Sequence, residues 1–301
     1  MRKMTLTLLV AAMGMGFISC SEEFFTNTFK AAGLGQYDAA AANLSTSADI
    51  KAGALSSPTF YEQLTQDQIA TALDTLFSNV PNYVAGIQPK VADLIAALKS
   101  HAVTASDLVL AATIQIKTSD ARKVIDSLPN AIAIFTTPTS RDAQPQTDAE
   151  KTAALIAQVV NAIIPANAQP DMLDPKSEPS EAFIQIITSF SNAAASFQAI
   201  TDSGESLPVL PVSGGSTADT ASYALISIGV ASIEPAAGWV NPHPSVDIKA
   251  AILWAAINGD TSAIGGTSLY NSTTAVLSPT VTNLMSSVSP DLIKLMSPGN
   301  S

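Results

Sequence analysis

Apolar residues recur along this chain at spacings of three and four, the period that lines one face of an α-helix. Ile69, Leu73, Leu76, Phe77 and Val80 share a face of a helix predicted over 66–80, with Thr65 as N-cap and Pro81 as stop. Val91, Leu94, Ile95 and Leu98 form the next stripe, opened by Pro89. Thr104-Ala-Ser-Asp107 reads as a capping box for a helix carrying Leu108, Val109 and Ile114. A short basic helix is expected over 119–128, ended by Pro129. Thr147-Asp-Ala-Glu150 caps another, with Leu155, Ile156, Val159, Val160, Ile163 and Ile164 on its apolar face and Pro165 at its end. Phe183, Ile187, Phe190, Ala194 and Phe197 mark the core face of a helix over 181–201. Ser216 to Asp219 opens a helix with Tyr223, Ile226 and Val230, and Ser245 caps one with Ile248, Ile252 and Ile257, closed by Asn258-Gly259. Ser57-Pro58, Ser278-Pro279 and Ser289-Pro290 each fit an N-cap followed by Pro at the first helical position. Leu73 and Phe190 are expected in the core.

No comparable run of alternating β-branched residues is bounded by hairpin turns; 131–137 and 207–212 read as extended, but each is isolated. The predicted fold class is all-α, a globular bundle or stack of short helices. Pro and Gly concentrate in 136–146, 165–179, 202–215, 234–244 and 258–278, breaks too frequent for a coiled coil. The helical region, 29–301, either divides near 165–179 or forms one continuous core.

The segment from Phe29 to Leu44 resembles the turn region of a tetratricopeptide hairpin. Gly35 ends a helix, Tyr37 covers the turn, and Ala40 and Leu44 take the helix contacts. The resemblance implies helical-hairpin repeats. No second copy follows at a period of about 34 residues, so one hairpin in a nonrepetitive bundle is the alternative.

The N-terminus carries a different signal. Arg2 and Lys3 precede an uncharged, mostly apolar run from Thr5 to Phe17, and Phe17-Ile-Ser-Cys20 ends it with the one cysteine of the chain. The run is shorter than the roughly 20 residues of a spanning helix. This resembles the bacterial lipoprotein signal peptide and its lipobox, with Phe17 where Leu is usual. The resemblance implies a signal peptide over 1–19, acyl chains such as palmitate on Cys20, a lipidated tether over 20–28, and the lipid bilayer as a partner. Ser21 stands where an Asp would mark inner-membrane retention, which implies an extracytoplasmic, outer-membrane location. Glu22 and Glu23 loosely resemble an acidic surface-export tag.

Composition narrows the remainder. Hydrophobic residues make up 47% but aromatics only 6%, so a core must form mainly from small and aliphatic side chains. With Cys20 acylated, no thiol is left for a disulfide. The formal charge of −11 argues against a basic nucleic-acid groove and against electrostatic adhesion to anionic lipid.

Catalytic chemistry is sparse. His101 falls at a helix end, where a cation suits the dipole, and His243 sits between Pro242 and Pro244. Neither belongs to a metal-ligand pattern, so no metal or cofactor is expected. A hydrolase reading would revive if both converged on acids such as Asp107 or Asp247. There is no nucleophile elbow. Ser213-Gly214-Gly215-Ser216 opens a helix whose N–H groups suit an anion, although a plain loop is the simpler reading. Asp171, Asp174 and Glu178 form an acidic linker without EF-hand register. Trp239, in Gly238-Trp-Val-Asn-Pro-His-Pro244, is the candidate partner-binding residue, either an anchor or a plug on a helical core, with Trp254 expected to pack nearby. The expected function is a noncatalytic, membrane-anchored envelope lipoprotein whose helical body binds a protein partner or scaffolds a complex. The alternative is a substrate-capturing lipoprotein serving a transporter, with its ligand held between helices.

Overall fold

The computed structural model describes residues 43–127, 164–165, 168, 177–258 and 260–267. The tetratricopeptide-like segment up to Ala42, the helix expected over 150–164 up to Ile163, and the Ser-Pro pairs at 278 and 289 lie outside them, as do the expected leader and tether. Among the described residues the fold is all-α. The helices are α1 (Ser47–Ser56), α2 (Phe60–Gln63), α3 (Gln66–Phe77), α4 (Val91–Lys99), α5 (Ala105–Lys117), α6 (Glu181–Ser203), α7 (Thr217–Ala231) and α8 (Ile248–Ile257). Helical backbone also covers 121–127. None of these helices is long and apolar enough to cross a membrane.

Two compact units divide the chain. Among the described residues, 43–118 and 192–224 form the first and the rest form the second. In the first, α1 packs on α2 and α3, and both of these pack on α5. The α5 sequence, ASDLVLAATIQIK, is apolar nearly all round, and Leu108 to Ile116 are all buried. A helix of that composition belongs inside a core rather than on its edge. Both of its buried polar side chains make a hydrogen bond, although Gln115 Oε1 has no partner among the described residues. The Thr113 hydroxyl donates to the Val109 carbonyl at 2.7 Å, and the Gln115 amide donates to Gln88 Oε1 at 2.5 Å. Phe60, Phe77, Leu94 and Phe197 complete the core, and the buried Tyr61 hydroxyl donates to the Pro211 carbonyl at 2.6 Å.

Three helix starts follow the side chains that read as caps. Thr65 with Gln68, and Thr104 with Asp107, each make both halves of a capping box. Ser216 and Asp219 do the same, with Ser216 N–H donating to the carboxylate at 2.8 Å and Asp219 N–H to the hydroxyl at 3.1 Å. Phe183, Ile187, Phe190, Ala194 and Phe197 are all buried, as their spacing on α6 requires.

Four expectations need correction. Leu73 is half-buried, because α3 turns Ala72, Leu76 and Phe77 inward. Asp247, not Ser245, caps α8, accepting from Lys249 N–H at 2.9 Å. Ser57 closes α1 instead of opening the next helix, and Pro58-Thr59 form a turn before Phe60. Two short strands also appear in the second unit. Strand β1 (Ile233–Pro235) pairs antiparallel with β2 (Ile264–Thr267), and the register slips between Glu234 and Pro235. Gly265 sits at that slip; a Cβ there would lie 2.7 Å from Ala236 N and collide with the Pro235 carbonyl, so only Gly permits the approach. Helix α8 packs on both strands and on the 3-10 turn Thr261–Ala263.

Candidate functional site

Trp239 lies in a rigid loop of the second unit, between β1 and α8. Beyond Pro235 the chain reverses through a β-turn in which Trp239 N–H donates to the Ala236 carbonyl at 2.9 Å. Gly238, at the third position with φ of 80°, supplies the conformation such a turn demands. Trp239 is half-buried, and Val240 beside it is 80% exposed. Asn241 then pins the loop. Its carbonyl oxygen accepts from His243 N–H at 2.9 Å and its amide donates to the Val246 carbonyl at 3.2 Å. Val246 N–H returns to the His243 carbonyl at 2.9 Å, and the Val246 side chain is buried. Pro242 and Pro244 remove further backbone freedom. Ile248, at the start of α8, is also exposed.

Lys249, near the start of α8, reaches back to β1. Its ammonium donates to the Ile233 carbonyl, tying α8 to β1. Burial holds its amine below the ordinary lysine value, against the opposing pull of Glu234 and Asp247. The sequence reading passed over this residue, although a single charge in the otherwise apolar IKAAILWAAI was a signal that it must find a partner. Trp254, on the same helix, packs edge-on against Phe183 with centroids 5.0 Å apart, and its indole N–H donates to Ser177 at 3.0 Å. Its ring partner is therefore Phe183, rather than the Trp239 expected.

The other candidates carry structural duties. His101 is exposed and stands just beyond α4 in the left-handed region, with φ of 57°. Its N–H donates to Leu98 and that of Ala102 to Ala97, closing the helix in a Schellman turn. His243 is half-buried in its loop. The two histidines belong to different units. Asp107 serves the α5 capping box and also accepts from Ser47, and Asp247 caps α8. At Ser213 to Ser216 the helix terminus holds its own anion: Asp219 accepts from the Ser216 N–H and from the Ser216 hydroxyl. Gly215 N–H donates to Val212 at 3.0 Å, so this loop is closed on itself. No group of three His, Cys, Asp or Glu side chains among the described residues is placed to hold a metal. Asp171, Asp174 and Cys20 lie outside the described residues, and Glu178 is exposed.

A second fastened loop, over 78–90 in the first unit, left no sequence signal. The Asp74 carboxylate accepts from the Tyr83 hydroxyl and from Gly86 N–H, and Tyr83 packs on Phe77 with centroids 5.8 Å apart. Val84 and Ile87 remain exposed on it.

No protein-family model, no curated protein and no solved structure matches this chain.

Proposed function

We propose that this protein is a noncatalytic lipoprotein of the bacterial envelope, whose helical body binds a protein partner. The carrying observation is the leader itself: a basic start, an apolar run and then a cysteine, at Cys20. Acyl chains on that residue would hold the body at a membrane surface; stable anchoring takes more than one chain. The reading places the protein in the outer membrane, because Ser21 follows the cysteine. The Trp239–Val240 turn supports the binding part of the proposal. It exposes an aliphatic side chain beside a half-buried indole on a loop already fixed by Asn241 and two prolines, so docking costs little ordering entropy.

Two measurements test the two parts separately. Cys20→Ser should leave an uncut precursor or release the protein from membranes. Unchanged processing together with unchanged detergent partitioning in that variant removes the lipoprotein reading. A photo-crosslinking residue at 240, in cells of the native host, should trap one discrete adduct that the same probe at 209 does not. An identical pattern at both exposed positions counts against partner binding through this turn.

A further inference from the structure

We draw no further inference here: the strongest candidate, the apolar surface patch formed by Val84 and Ile87 on the 78–90 loop that Asp74 fastens, carries nothing because nothing in the structure shows what covers it.

Discussion

At the scale of single residues, the chain closes two helices with one hydrogen-bond pattern but different residues. After α6, Gly204 turns left-handed at φ of 81°, and its N–H donates to Thr201 while that of Glu205 donates to Ile200. After α4, His101 does the same at φ of 57°. A side chain pays roughly 1–2 kcal/mol for that conformation, and glycine does not. His101→Gly should therefore raise the stability of the protein by about 1 kcal/mol, read as a higher urea midpoint at unchanged slope, whereas His101→Ala should bring no such gain. The tyrosines give a second prediction at this scale. Burial, then the Asp74 carboxylate, pushes the Tyr83 phenol up to about 12, and burial pushes Tyr61 higher still. Both hold their protons more tightly folded than unfolded. Their stabilising contribution is complete below the unfolded value near 10 and is lost as pH climbs towards the folded one. Stability should fall between about pH 10 and pH 12, and Tyr83→Phe should make that fall shallower. Lys249, whose value is lowered, works with the opposite sign below pH 10.5, so the informative quantity is the difference between the variant and the parent.

At the scale of elements, what was legible in the sequence is what repeats. Phe183, Ile187, Phe190 and Phe197 of α6 fall on one face over several turns, and their burial follows from that period. Capping boxes were equally readable, since Thr104 and Asp107 stand at the one spacing that lets each reach the other's N–H. The start of α8 was missed because Ser245 and Asp247 are both competent caps; the side chain that actually accepts from Lys249 and Ala250 settles the choice. The strands escaped because three and four residues cannot display a period, and Ile264-Gly-Gly-Thr267 has little side chain to alternate. The Asp74–Tyr83–Gly86 fastening spans a loop and depends on approach in space, which no local pattern records. Glycines supply an element-level test. Gly229 is buried in α7, yet a Cβ built on it meets nothing within 4 Å. Gly229→Ala should therefore stabilise by about 0.5–1 kcal/mol through helix propensity. At Gly215 a Cβ would lie 2.9 Å from Val212 and run into the Leu210 carbonyl. Gly215→Ala should lower the melting temperature while Gly229→Ala raises it; movement of both in the same direction would contradict these local environments.

At the scale of the whole molecule, neither unit is a single stretch of chain. The first takes 43–118 and then 192–224, with its second part supplied by portions of α6 and α7. Phe197, fully buried, and the Tyr61 bond to Pro211 both depend on that later stretch. A fragment ending at Thr118 should consequently show no cooperative thermal transition, even though it contains α1 through α5. A sharp melt and dispersed amide resonances from that fragment would overturn this expectation. Truncating Phe197 to Ala in the full chain would cost about 3–5 kcal/mol.

That arrangement sets a timetable. Tyr61 and Pro211 are separated by 150 residues, and contacts so distant in sequence form late because the intervening chain must first be closed into a loop. In a chain synthesised from its N-terminus, residues 1–20 have long since emerged by the time residue 211 does. Until then the early helices lack part of the surface that would lock them. For the lipoprotein proposed above, which would be handed to an export channel unfolded, that delay would be useful: its signal could be read before the helical body closes.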